Sequence, residues 1–150
     1  MEKDNLPGID EILQLLPHRY PFMLVDRITE IGKDMIAGVK NITFNEWYFQ
    51  GLPPMLRIVP ALILCEAIAQ LGSILFFTDE ENRGRLIFFS GIEHVRFRHP
   101  VRAGDQLLLT VRALKKKGPI HQFGVLGKVG DKKVFDGVMR CAVEQKKAQS

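Results

Sequence analysis

Glu66 is the residue in this chain best suited to moving a proton. It lies inside the stretch from Pro60 to Phe76, which is apolar nearly all round. Gln70 follows four residues on and Ser73 seven on, so a helix places the three on one stripe. A carboxylate in apolar surroundings is costly unless it is hydrogen-bonded or neutralised. Enclosure disfavours the charged form, and a neutral acid is what general acid catalysis near pH 7 needs. The alternative is structural: Glu66 caps a loop or pairs with an arginine such as Arg57. Spacing alone weighs the two equally.

The other titratable candidates are scattered. Histidines stand at positions 18, 94, 99 and 121. Positions in strands and turns are more often structural or solvated than catalytic. Cys65 and Cys141 lie far apart in apolar runs, which suits two core thiols in a reducing cytoplasm. No metal ion and no cofactor is expected.

The chain has 150 residues, of which 46% are hydrophobic. That is enough for one packed domain over residues 1–150, with a flexible tail from about Lys146 to Ser150. The polar, acidic residues Met1 to Asp10 lead us to expect no signal peptide. Glu66 and Gln70 inside the apolar stretch argue for a buried core helix rather than a membrane span. The net charge of +4 comes with basic residues recurring along the second half, among them Arg96, Arg98, Lys115, Lys116 and Lys117. An acidic partner would be attracted to them, although a solvated surface explains them as well. Nucleic-acid binding is disfavoured, because the aromatics sit inside apolar runs instead of alternating with basic residues.

The elements that must position Glu66 follow from periodicity. Ile9 to Leu16 shows helical spacing and Pro17 ends it. Strands are expected from Phe22 to Ile31 and from Met35 to Thr43, joined at Gly32-Lys33-Asp34. Asn45 to Val59 is a loop punctuated by Gly51, Pro53 and Pro54. Pro60 opens the long helix, where a missing N–H costs nothing. Because it is apolar on most sides, this helix should be enclosed on most sides. A charged turn from Asp79 to Arg85 ends it. Four strands follow: Leu86 to Arg98, Gln106 to Leu114, Ile120 to Val129 and Lys132 to Val143. The last strand alternates most clearly, with Phe135, Gly137, Met139, Cys141 and Val143 on one face and Asp136 and Arg140 on the other. The economical packing is α+β: a curved antiparallel sheet wrapped around the long helix.

Several motifs in order then resemble one family. They are Leu16-Pro17-His18-Arg19-Tyr20-Pro21-Phe22-Met23-Leu24-Val25-Asp26-Arg27, Lys40 to Glu46, Glu66-Ala67-Ile68-Ala69-Gln70, Gly91-Ile92 through Arg98, Pro100-Val101, and Gly104-Asp105-Gln106-Leu107. The family is the bacterial (3R)-hydroxyacyl-[acyl carrier protein] dehydratases, and the likeness runs from about Ile9 to Val143. The resemblance implies a hotdog fold, a cytoplasmic protein of fatty acid biosynthesis, and a homodimer or trimer of dimers. It implies an acyl carrier protein or acyl-CoA thioester as partner. In the family a histidine of one subunit removes the C2 proton, and the helix glutamate of the other protonates the departing C3 hydroxyl. Backbone N–H groups near the loop and helix start hold the thioester carbonyl. By position Glu66 is that acid and Gln70 supports it. Pro60, Ala61 and Met55 fall in the substrate-binding segment.

The chain departs from the pattern in the loop. The family's Q-G-H-F-P-G is here Gln50-Gly51-Leu52-Pro53-Pro54-Met55. Leu52 takes the histidine position, Met55 a glycine position, and Ala61 the glycine after the helix-opening proline. Leucine cannot accept a proton, so no acceptor from the same polypeptide is expected to face Glu66. His18 belongs to the structural signature. Three readings follow: a subunit lending Glu66 to a histidine-bearing homologue, a non-catalytic acyl-thioester-binding subunit, or a hotdog thioesterase that uses Glu66.

Overall fold

The computed structural model describes residues 6–144. The expected tail from Lys146 lies outside them. Helix α1 spans Ile9–Leu15, and the long helix α2 spans Ala61–Thr78. Six strands form one antiparallel sheet: β1 (Arg27–Ile31), β2 (Met35–Asn41), β3 (Ile87–Phe97), β4 (Gln106–Lys117), β5 (Ile120–Val129) and β6 (Lys132–Val143). Their order across the sheet is β1-β2-β4-β5-β6-β3. A long core helix against an antiparallel sheet is the hotdog arrangement, an α+β fold.

The helix rests on the middle of the sheet. A side chain at Gly38 of β2 would crowd Leu71 of α2, and Gly72 of α2 faces Val111 of β4 at 3.5 Å from where its own Cβ would lie. The missing side chain matters at Gly38, where it lets the sheet approach the helix closely, whereas a Cβ at Gly72 would sit in ordinary contact with Val111. Ile68, Leu71 and Ile74 of the helix are buried, as are Leu107, Leu109 and Val111 of β4. By length and apolar character α2 would be long enough to cross a membrane. Its buried face packs into this core instead.

Two expectations change in detail. The strand foreseen from Phe22 begins only at Arg27. The backbone of Phe22 and Leu24 bonds to a helix side chain and not to a neighbouring strand. The strand foreseen to end at Leu114 continues to Lys117, because Gly118 (φ +57°) closes a tight hairpin onto β5. The loop before α2 contains two short 3₁₀ turns, Trp47–Phe49 and Pro54–Leu56.

The helix is less enclosed than its composition suggests. Leu62 is 77% exposed, and Glu66, Ala69 and Ser73 are half-buried. These positions fall on one stripe of α2 that no helix or strand among the described residues covers. Beside it runs β3, an edge strand with Phe88 (55%), Phe89 (48%) and Ile92 (43%) exposed. An edge strand presents unpaired backbone groups, and exposed apolar side chains on it mark a surface suited to pairing.

Candidate functional site

Gln70 organises the site. It is 1% exposed, and its amide makes three bonds. Its Oε1 accepts the Leu24 N–H (2.9 Å), and its Nε2 donates to the Phe22 carbonyl (2.8 Å) and to Glu66 Oε1 (3.0 Å). One side chain thus ties the segment after α1 to the helix and orients the carboxyl group. Replacing Gln70 with leucine removes all three bonds and strands a buried N–H and carbonyl. We expect Gln70→Leu to cost about 1–3 kcal/mol of stability, read as a lower denaturant midpoint at unchanged m-value.

Glu66 is not the enclosed carboxyl group foreseen from composition. Its side chain is 31% exposed in the single chain. The helical stripe splits: Gln70 points inward, while Glu66 and Ser73 lie at the rim. Ser73 uses its hydroxyl locally, donating to the Ala69 carbonyl (2.9 Å). Glu66 opens on a small cleft of about 190 Å³ lined by Leu62, Cys65, Ala69, Phe89 and Ile92. The cleft lies between the uncovered stripe of α2 and the edge strand β3.

A second correction concerns the neighbours of that carboxyl group. His18, set aside as structural, brings Nε2 to 3.3 Å from Glu66 Oε1. Its Nδ1 is shielded from solvent and has no hydrogen-bond partner among the described residues. A proton-carrying ring of the same polypeptide therefore does face Glu66. No spacing rule connects position 18 with position 66. The contact arises because Gln70 draws the intervening segment against the helix. The other histidines lie elsewhere: His94 and His99 are exposed, and His121 packs edge-on against Phe76. Burial, with help from Lys116 and Arg85, holds the His121 imidazole below its usual pKa.

Arg57 does not pair with Glu66. Its guanidinium lies 3.9 Å from the centre of the Phe44 ring, a cation–π contact. It lines a cavity of about 280 Å³ that also includes Leu52, Gln50, Gly51 and Glu46. Leu52 is half-buried against the core, and its N–H donates to the Phe49 carbonyl (3.2 Å). Gly51 holds φ +76°, a left-handed conformation that suits glycine. Leu52 and Glu66 thus line different cavities within one chain.

Met55 is 79% exposed, and Pro60 and Ala61 are exposed at the start of α2. The structure brings none of these three into the Glu66 cleft. Pro60 is the N-cap, and no side chain caps the helix. Glu46 ties down the start of the preceding loop: Lys40, only 8% exposed, donates to Glu46 Oε1 (2.9 Å) and contacts Asp26 Oδ1 (3.4 Å). Nearby, burial and the charges of Glu46 and Asp26 push the Tyr48 hydroxyl above its usual pKa. Cys65 is buried and Cys141 half-buried, and both thiols are free. Burial pushes Cys141 up to about 11, so neither its chemistry nor its place suggests a nucleophile.

A cleft of about 730 Å³ runs from His18 and Ser73 between the end of α1, α2 and the start of β3. Leu13, Leu15, Leu16, Phe77 and Ile87 give it apolar walls, and Arg19 and Arg85 lie along it. Its size and lining suit an elongated apolar ligand.

Comparison with known proteins agrees with this architecture. A relative from Bacillus cytotoxicus, the 3-hydroxyacyl-[acyl-carrier-protein] dehydratase FabZ, is 42% identical over 141 residues, covering 93% of this chain and 98% of the relative. The FabZ of Syntrophobacter fumaroxidans is 42% identical over 142 residues, covering 94% and 97%. Among solved structures, the dehydratase heterocomplex ApeI:P from Xenorhabdus doucetiae superposes with a TM-score of 0.72 at 17% identity, covering 90% of this chain and 91% of that one. A mutant thioesterase, PA1618 of Pseudomonas aeruginosa, superposes with a TM-score of 0.68 at 11% identity, covering 91% and 94%. These two likenesses show the fold. The family model described as the FabA-like domain matches residues 16–138, and the chain belongs to that family.

Proposed function

We propose that this chain is a (3R)-hydroxyacyl-[acyl carrier protein] dehydratase-type subunit of acyl-chain biosynthesis in the cytoplasm. It binds acyl thioesters and supplies Glu66 as general acid to a site completed by a histidine-bearing partner chain. The observation that carries this reading is the open side of Glu66. Its carboxyl group is held from behind by Gln70 and faces a cleft whose other wall, Phe89 and Ile92, belongs to the edge strand β3. A second subunit docked along β3 would cover Glu66 and could bring its own loop to the cleft.

The chemistry needs two groups. A base takes the C2 proton of the 3-hydroxyacyl thioester, and an acid delivers a proton to the C3 hydroxyl, which leaves as water. Glu66 fits the second role. Leu52, at the position of the family's histidine, cannot fill the first. Pro60, which has no N–H to donate, would open the helix start, and the backbone N–H groups of Met55 and Ala61 would hold the thioester carbonyl at a site shared with a neighbouring subunit. The apolar walls beyond His18 suit the acyl chain, and the basic net charge favours an acidic carrier protein. A heterocomplex of dehydratases on this fold supports the mixed assembly.

The test incubates the purified chain with a 3-hydroxyacyl carrier thioester and measures enoyl product and free thiol. The chain alone should form neither, and mixing with a histidine-bearing FabZ-type subunit should yield enoyl product. Thiol release that Glu66→Gln abolishes would mean a thioesterase. Silence in the mixture as well would mean a non-catalytic binding subunit. Rapid dehydration by the chain alone would remove the need for a partner.

A further inference from the structure

The geometry points to His18 as a positioning residue for Glu66: its ring nitrogen and the Gln70 amide together hold Oε1, so that Oε2 carries the acidic proton into the cleft. The inference rests on the reading of Glu66 as general acid.

Two nitrogens converge on one carboxyl oxygen. Gln70 Nε2 lies 3.0 Å from Glu66 Oε1, and His18 Nε2 lies 3.3 Å from the same atom. Among the described residues Oε2 has no hydrogen-bond partner. A carboxylic acid carries its proton on one oxygen, and the oxygen that already accepts N–H groups is the poorer site for it. Oε1 is therefore kept as acceptor and Oε2 as donor.

The ring can serve this role in one tautomer. Nδ1 is cut off from solvent and unpartnered, so a hydrogen there would be a buried, unsatisfied donor. Nε2 instead lies 3.3 Å from Glu66 Oε1, a close polar contact, so a hydrogen there faces an acceptor. The ring is set in place by Phe22, which stacks at a centroid distance of 6.2 Å, and by the backbone that Gln70 anchors at Phe22 and Leu24. Gln70 thus fixes the carboxyl group directly and His18 through the segment it binds. The arrangement makes His18 unsuited to the missing base: its one available nitrogen is turned to the acid.

Orientation of a reacting group is worth large factors in rate, and small misplacements cost on the order of 10²-fold. The first measurement uses the full chain carrying Leu52→His, assayed for enoyl product. In that background His18→Met should lower kcat by about 10- to 100-fold while KM moves by less than about threefold. His18→Gln, whose amide reaches to about the place of Nε2, should recover most of that loss. A packing role would treat methionine and glutamine alike, so equal activities for the two would overturn the proposal, as would an unchanged kcat in His18→Met.

The second measurement does not depend on activity. Imidazole ¹⁵N spectra of the full unsubstituted chain should show His18 with hydrogen on Nε2, and Glu66→Gln should move that signal. An Nδ1–H tautomer, or a signal indifferent to Glu66→Gln, would overturn the positioning role. If enoyl formation in the mixed assembly is indifferent to Glu66→Gln while the spectra behave as expected, the reading of Glu66 as acid fails and the contact with His18 stands.

Discussion

Leu52→His is expected to raise enoyl formation by the purified chain by on the order of 10²-fold, the lower end of what a positioned base contributes. The loop backbone is already shaped for it. Gly51 takes the left-handed turn, and the Leu52 N–H is bonded to the Phe49 carbonyl whatever side chain follows. The substitution is therefore a change of side chain on a fixed turn. On the proposed function full activity is not expected, because Met55 and Ala61 would add side chains where the backbone is to approach the thioester carbonyl. The measurement is the initial rate of enoyl product from a 3-hydroxyacyl carrier thioester. No gain over the unsubstituted chain would mean that the backbone of the loop, and not only its base, is disabled. Leu52 also packs against the core. A melting curve recorded beside the assay separates lost folding from absent catalysis.

Glu66→Gln is expected to remove about 10²- to 10⁴-fold of enoyl formation, in the Leu52→His chain or in the mixed assembly. Glutamine keeps the size of the side chain and can still bond to Gln70, so the packing of α2 is retained. What it loses is the acidic proton. Without it the C3 hydroxyl must leave as hydroxide or wait for water to protonate it. The effect belongs on kcat and on kcat/KM together, because the interaction is made in the transition state. An unchanged rate would remove Glu66 from the reaction and leave it as an anchor for the segment around His18. Folding should hardly change, since Glu66 lies at the rim of the core.

Much of this was legible in residue order. The helix over Ala61–Thr78 follows from its composition and from Pro60, and two hairpins follow from Gly32 and Gly130, whereas the one at Gly118 was not foreseen. The family likeness follows from motifs in sequence, Leu16 to Arg27 and Glu66 to Gln70 above all. So does the identity of the side chain at position 52. These are properties of single residues or of neighbours three and four apart, where covalent geometry dictates who shares a face.

The tertiary structure decided which way each polar group looks. Glu66 and Gln70 share a stripe by spacing, yet Gln70 is swallowed by the segment around Leu24 while Glu66 stays at the rim. His18 meets Glu66 from far along the chain only because Gln70 bonds Phe22 and Leu24. The β3 edge left bare beside that carboxyl group depends on a strand order, β1-β2-β4-β5-β6-β3, that no local period encodes. Periodicity fixes what lies on one face of an element, whereas the partner across that face is chosen by packing of the whole chain.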